Sequence, residues 1–441
     1  MFGFWKTWKA LEARGIMGIN RRNADYVLKY NKRSLYPLVD DKIITKERAL
    51  AAGLHVPEMY GVITTEKEID KLDDIIGGRS DFVIKPAQGA GGDGILVVAD
   101  RFEGRYRTVS GKIISHEEIE HQVSSILTGL YSLGGHRDRA LIEYRVVPDQ
   151  IFKSISYEGV PDIRIIVLMG YPVMAMLRLP TRQSGGKANL HQGAIGVGVD
   201  LATGLTLRGT WLNSMITKHP DTTNAVDGVQ LPNWDGFMQL AAGCYELCGL
   251  GYIGVDMVLD QEKGPLILEL NARPGLNIQI ANDCGLTLRT HAVEARLEEL
   301  KAAGITETPE ERVRFVQDMF WAHSCCGGLR ASSQASQLPQ LNAFQGGSWL
   351  ACDDDLASNS PSRTALNLPI PDIPSRTRTD RGLQSPPPSQ PLIRFACRPV
   401  PYTRCPTGPI PPSISRRSAT PPARCCSTVA ARLPSAGVTT C

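Results

Sequence analysis

The stretch Gly254-Val-Asp256-Met-Val-Leu-Asp260, Gln261-Glu-Lys-Gly264, Pro265-Leu-Ile-Leu-Glu269-Leu-Asn271-Ala-Arg273-Pro-Gly275 decides how the chain is read. Two runs of aliphatic and β-branched residues flank four polar or glycine residues, the pattern of two strands joined by a short hairpin loop. In an unbulged hairpin with loop 261–264, Asp260 faces Pro265 and Asp256 faces Glu269. Side chains alternate between the faces of a strand, so Asn271 falls on the same face as Glu269 and three oxygen-bearing side chains converge. Carboxylates placed directly opposite repel each other, which favours a cation between them. Hard oxygen donors with open positions suit Mg²⁺. The plainer alternative puts one carboxylate on a solvated edge, paired with a lysine. Pro274-Gly275 forces a turn that exposes Asn271 and Arg273 at the strand end.

Upstream, Asp81-Phe-Val-Ile-Lys85 is a short β-rich run ending at Pro86, followed by Gln88-Gly-Ala-Gly-Gly-Asp-Gly94 and a second run, Ile95-Leu-Val-Val98. Strand, glycine loop, strand is a hairpin. A dinucleotide fingerprint or a P-loop needs a helix immediately after its glycines, and a P-loop ends in Gly-Lys-Ser/Thr. Neither condition is met. A glycine hairpin can still fold over a triphosphate and donate backbone N–H groups, as in protein kinases; an ordinary glycine-rich hairpin is equally open. A phosphate site also needs positive charge. Lys42, Lys85, Arg164, Arg178 and Lys187 are the candidates, although each alone reads as a solvated surface cation.

Other elements follow from local signals. Thr45–Ala52 reads as a short helix stopped by Gly53. Ser115-His-Glu-Glu118 is a capping box, and Ile119, Val123, Ile126, Leu127 and Leu130 continue it as an amphipathic helix expected to stop at Gly134-Gly135. Residues 141–144, 163–169 and 173–177 read as strands, Phe237–Cys248 as a helix ending at Gly249, and 292–302 as a last helix.

The 441 residues are not uniform in composition. From Ala322 onward the chain holds 18 of its 30 prolines and 8 of its 11 cysteines, with no lysine and no glutamate. That composition fits a disordered appendage, which cannot bury enough apolar surface to offset chain entropy, or an out-of-frame reading of GC-rich DNA. The net charge of +3 divides into +7 for residues 322–441 and −4 for residues 1–321. The part expected to fold is therefore mildly acidic, which argues against nucleic acid as a partner. No apolar run is long enough for a membrane span and no cleavable leader is evident, so a cytoplasmic location is expected. Phe2, Phe4, Trp5 and Trp8 could share a helical face as a membrane-surface segment, or pack on their own domain. Cys244, Cys248 and Cys284 lack a metal-site spacing; Cys244 and Cys248 read as packed core thiols, with a redox pair as the alternative.

Taken in order, Asp41-Lys42, Phe82-Val-Ile-Lys85-Pro86 with its glycine loop, Ile142-Glu143-Tyr144, Asp162-Ile-Arg164, Asn189-Leu-His-Gln-Gly193, Asp256 and Glu269-Leu-Asn271-Ala-Arg-Pro-Gly275 resemble the ATP-grasp superfamily, and within it the RimK-like α-L-glutamate ligases. The resemblance covers about residues 40–290. It implies an α+β fold of two lobes with nucleotide between them: a short N-terminal segment 1–40, a small lobe 41–140 carrying a glycine-rich lid, a large lobe 141–321 carrying the metal site, and the tail 322–441. It further implies that Lys42 and Lys85 contact the nucleotide phosphates beneath Gly89, Gly91, Gly92 and Gly94. Glu143 and Tyr144 would sit at the adenine and ribose hinge. Asp162, Lys187 and Asn189 would make further nucleotide contacts, with Lys187 where the family commonly has arginine, which keeps the charge and loses the bidentate fork. Asp256, Glu269 and Asn271 would be ligands of Mg²⁺, two ions in all, with Mn²⁺ as an alternative. Arg164 and Arg178 would face the transferring phosphate and the substrate carboxylate, and Arg273 is a further catalytic candidate. His191 reads as a structural member of its loop, with a catalytic base as the lesser alternative.

The implied reaction is amide formation. A carboxylate attacks the γ-phosphate of ATP, giving an acylphosphate and ADP, and an amine then displaces phosphate. The partners implied are an amino acid such as glutamate and an amine- or carboxylate-bearing peptide or small molecule; self-association is left open. The segment before Lys42, with Asn20-Arg-Arg-Asn23 and Tyr30-Asn-Lys-Arg-Ser34, is shorter than the α/β domain that precedes the first lysine in RimK-type enzymes, so the acceptor does not carry over. A phosphotransferase, an ATP-grasp protein associated with polysaccharide synthesis, and a non-catalytic nucleotide-binding module stand as alternatives.

Overall fold

A computed structural model of the chain describes residues 9–89, 91–212 and 214–325. The expectations for Phe2, Phe4, Trp5 and Trp8, and for the tail beyond Cys325, lie outside the described residues. In chain order the elements that matter here are α1 (Lys42–Ala51), β1 (Met59–Ile63), β2 (Phe82–Pro86), β3 (Leu96–Phe102), β4 (Arg105–Thr108), β5 (Ile113–Ile114), α2 (His116–Leu127) and β6 (Ala140–Glu143). They are followed by β7 (Asp162–Leu168), β8 (Tyr171–Leu179), β9 (Ile195–Val199), β10 (Thr206–Trp211), β11 (Ser214–Ile216), α3 (Trp234–Cys248), β12 (Tyr252–Asp260), β13 (Gly264–Asn271), α4 (Leu286–Ala303) and α5 (Pro309–Cys325).

Strands β1–β6 form one antiparallel sheet in the order β1-β6-β2-β3-β4-β5. Phe82, Ile84, Val98 and Ile142 bury one face of it against Ile119, Val123 and Ile126 of α2. The capping box opens α2 as expected: Glu118 N donates to Ser115 Oγ at 3.2 Å and Ser115 N donates to Glu118 Oε2 at 2.9 Å. The helix stops at Leu127, short of the expected Gly134, because the chain doubles back. Gly129 takes φ +83°, and a Cβ there would sit 2.0 Å from the His136 carbonyl oxygen. Leu130 consequently faces solvent.

Strands β7–β13 form a second antiparallel sheet in the order β11-β10-β9-β8-β7-β12-β13. Every residue of β7 and β12 is buried. α3 packs on β7 and β8, and α5 packs on α3 and β8. Each large aliphatic or aromatic side chain removed from water here contributes about 1.5–3 kcal/mol. Met17, Tyr26, Val27 and Val39 from the N-terminal segment and Ala49 of α1 join this second core. The division expected at 140/141 falls inside β6, whose Glu143 still belongs to the first sheet. Among the described residues no helix is long and apolar enough to cross a membrane.

The hairpin β12–β13 differs from the expected register in an informative way. Asp260 pairs with Gly264 and Leu259 with Pro265, so the loop is the three residues 261–263, closed by Gly264 at φ +72°. A bulge between Asp256 and Met257 then restores Asp256 opposite Glu269. The extra residue of the bulge re-aims the end of the hairpin, a use to which bulges next to functional sites are often put.

Candidate functional site

Strand register places a set of charges on one face of the second sheet. Asp162 pairs with Arg178 across β7–β8, Arg164 with Asp256 across β7–β12, and Asp256 with Glu269 across β12–β13. Arg164 holds Asp256 with a two-toothed grip, Nε to Oδ1 at 2.7 Å and Nη2 to Oδ2 at 2.7 Å. Arg178 Nη2 reaches the same Oδ2 at 2.8 Å and also Asp162 Oδ2 at 2.5 Å, while Arg178 Nε bonds Asp162 Oδ1. Asn271 Nδ2 donates to Asp256 Oδ2 at 3.2 Å. The repulsion between Asp256 and Glu269 is thus relieved by guanidinium groups and by Lys42, whose Nζ lies 3.3 Å from Glu269 Oε2. A cation between the two carboxylates is not needed to explain their being neighbours.

Burial works against ionisation of Asp256, but Arg164 and Arg178 outweigh it and hold its carboxyl far below the usual range. Asp162 is gripped directly by Arg178, with Arg164 a weaker and more distant help. Burial pushes it up to about 6 against Arg178, and the charge of Asp256 pushes the same way.

A second cluster lies where α1, β2 and β6 meet. Glu143 is fully buried between two lysines, with Lys85 Nζ 2.6 Å from Oε1 and Lys46 Nζ 2.8 Å from Oε2. Burial opposes the Glu143 charge; Lys85 and then Lys46 reverse the effect and lower its pKa. Burial likewise lowers Lys46, to about 8, with Glu143 resisting and Lys85 reinforcing the shift. Tyr144 donates to Asp260 at 3.2 Å, and burial followed by Asp260 pushes its hydroxyl up to about 12.

The glycine loop is fastened at both ends. Asp138 accepts from Gln88 N at 3.0 Å and Ser132 Oγ at 2.5 Å, and Gly89 bridges to Ser132. Lys42 Nζ donates to the Gly89 carbonyl at 2.6 Å, so this lysine touches both the loop and Glu269 of the second sheet. At the far end Gln122 Nε2 donates to Gly94 O at 2.8 Å, and Gly94 at φ +74° packs so closely on Tyr131 that a Cβ would meet the ring at 2.5 Å. Between these anchors lie Gly91 and Gly92, and Asp93 forms an exposed ion pair with Lys187 at 3.2 Å. Asn189 accepts from His191 N at 2.9 Å and so caps its own loop. Arg273 holds its guanidinium 5.3 Å over the Tyr36 ring.

Sequence reasoning passed over four supports. Lys46 could have been found from its spacing, since it follows Lys42 by four residues and shares its helical face. Arg139 bonds Asp41, the residue whose carboxylate caps α1 by accepting from Ile43 N at 3.0 Å. From the N-terminal segment, buried Arg22 donates to the Pro274 carbonyl at 2.9 Å, and Asn31 donates to Ala272 O at 2.8 Å and Tyr252 O at 2.7 Å. These two residues brace the turn after β13, and no local pattern announces them.

The family described as sugar-transfer associated ATP-grasp matches residues 21–295, well over half of the chain, including the bracing segment and both charge clusters. The chain belongs to this ATP-grasp family. Among solved structures, this ATP-grasp chain is similar to the ATP-grasp ligase PsnB complexed with a minimal precursor, at 12% identity over 58% of each chain, with a TM-score of 0.32. It is also similar to the D-alanine–D-alanine ligase of Bacillus anthracis complexed with ATP, at 14% identity over 65% of this chain and 66% of that one, TM-score 0.30. A third is the D-cycloserine synthetase DcsG, at 16% identity over 60% and 72%, TM-score 0.35. The ATP-grasp chain spans less than two thirds of the length of the first two. No curated protein matches it.

The fold of this ATP-grasp protein implies Mg²⁺, and its candidate oxygen donors are Asp256, Glu269 and Asn271. Among the described residues no three His, Cys, Asp or Glu side chains gather into a cage. Two carboxylates and one amide oxygen on adjacent strands are nonetheless what Mg²⁺ takes when phosphate and water complete its octahedron. The set fits a cation that arrives with phosphate better than one held by protein alone.

Proposed function

We propose that the chain is an ATP-dependent carboxylate–amine ligase of the RimK-like kind, joining glutamate or a similar amino acid to a peptide or small-molecule partner through an acylphosphate. The observation that carries this reading is Lys42, which touches the glycine loop and Glu269 at once and so joins the glycine hairpin to the β12–β13 hairpin. In this reading Lys42 and Lys85 bind the phosphates, backbone N–H groups around Gly91 and Gly92 cover them, and Arg164 and Arg178 hold the transferring group and the substrate carboxylate. Asp256, Glu269 and Asn271 hold Mg²⁺, which when bound supplies Lewis-acid stabilisation of phosphoryl oxygens. The protein's own contribution is orientation and fixed charge. No enzyme nucleophile is required, and buried Cys244 and Cys248, whose thiols burial pushes up, are unsuited to the role.

The family description favours a second reading for the acceptor, in which the amine or carboxylate belongs to a sugar-bearing molecule. One screen separates the possibilities: ADP and phosphate release with Mg-ATP, amino acids, and amine acceptors with and without a sugar. Phosphate release that depends on an added amine supports ligation. A stable phosphorylated product sinks it in favour of phosphotransfer.

A further inference from the structure

Lys46 is 1% exposed and Lys85 6% exposed, and both share the single carboxylate of Glu143. One carboxylate neutralises one ammonium, so the cluster buries a surplus positive charge that a purely structural pair would avoid. Lys46 is the anchored partner, since its Nζ also donates to the Pro57 carbonyl at 2.9 Å. Lys85 is the more exposed of the two and stands at the end of the strand leading into the glycine loop. We propose that Lys46 is a standby counter-ion for Glu143, a positioning residue that frees Lys85 to leave that carboxylate and take a nucleotide phosphate. The inference rests on the nucleotide reading above.

Its physical content is a charge exchange. If Lys46 were absent, movement of Lys85 toward a phosphate would strand a buried, unpaired carboxylate, which is strongly unfavourable. With Lys46 in place Glu143 stays neutralised in both positions of Lys85. The charged groups facing Lys46 are Glu143 from β6 and Lys85 from β2; along α1, Lys42 is turned to Glu269 and Arg48 to the Leu247 carbonyl. Burial lowers Lys46 to about 8, so above that pH it loses its charge and Glu143 holds Lys85 back. Nucleotide affinity then falls as pH rises.

The test is the Kd of Mg-ADP and of a non-hydrolysable ATP analogue for the full chain, by titration calorimetry from pH 7 to 9.5, alongside thermal melting. Lys46→Met is expected to weaken binding by about tenfold or more with little change in melting temperature. The double variant Lys46→Met/Glu143→Gln, with no anion left to hold Lys85, is expected to bind more tightly than Lys46→Met and to show a flat pH profile. Wild-type affinity for Lys46→Met, or a double variant as weak as the single one, overturns the proposal. If Lys46→Met does not fold, the wild-type profile decides: affinity constant from pH 7 to 9.5 overturns it equally. A wild-type chain that binds neither nucleotide removes the nucleotide reading itself.

Discussion

The two buried charge clusters are built on opposite principles. The second-sheet cluster sets Asp162 and Asp256 against Arg164 and Arg178, two charges against two, so every member is matched. The Glu143 cluster sets two lysines against one carboxylate. A matched network resists the removal of any member, because each loss strands a partner. An unmatched one has one member it can release at little cost, and that surplus makes it receptive to an anion.

The sharpest way to break this contrast is Asp256→Asn. Arg164 and Arg178 would then face an amide, and the donor set would lose a carboxylate. We expect ATP turnover to drop by at least about 10²-fold and unfolding free energy by about 3–5 kcal/mol, read by ADP release and urea denaturation. In the other cluster, Glu143→Leu should also cost about 3–5 kcal/mol, since it leaves two buried lysines facing each other. Lys46→Met should cost under about 1 kcal/mol, because the neutral Lys85–Glu143 pair remains. If Lys46→Met were as damaging to stability as Glu143→Leu, the cluster would have no surplus.

The clusters should also titrate with opposite sign. Asp162 is raised from 3.8 to about 6 in the folded chain, so between those pH values the folded state holds the extra proton and stability falls as pH rises. Lys46 is lowered from 10.5 to about 8, so between those values the unfolded state holds the extra proton and stability rises with pH. Each slope approaches about 1.4 kcal/mol per pH unit, and denaturant midpoints for wild type against Asp162→Asn and Lys46→Met should show the first vanish in one variant and the second in the other. A smaller effect is expected at Gly94→Ala, about 1–3 kcal/mol, from strained φ and the contact with Tyr131. The smallest is Asp93→Ala, which removes an exposed pair and should change the melting free energy by less than about 0.5 kcal/mol.

How much of this was legible beforehand depends on how local the signal is. The glycine hairpin, the capping box of α2 and the pairing of Asp256 with Glu269 rest on patterns within about twenty residues, and each can be read from the chain. An unbulged four-residue loop predicts the same pairing that the structure makes with a three-residue loop and a bulge between Asp256 and Met257. The grip of Arg164 on Asp256 joins residues 92 apart and follows only once β7 is known to lie beside β12. The family resemblance puts Glu143 at a hinge contact, and nothing local in the sequence reveals that Lys46 and Lys85 flank it. The neighbours that decide its electrostatics come from two other elements.

The brace formed by Asn31 and Arg22 has a consequence in time. Asn31 meets the backbone of Tyr252 and Ala272, 221 and 241 residues later, and Arg22 meets Pro274, 252 residues later. At roughly 5–20 residues per second of synthesis, both side chains leave the ribosome some tens of seconds before their partners exist. The turn after β13 can therefore be braced only after the residues of the glycine hairpin and α2 have already been made.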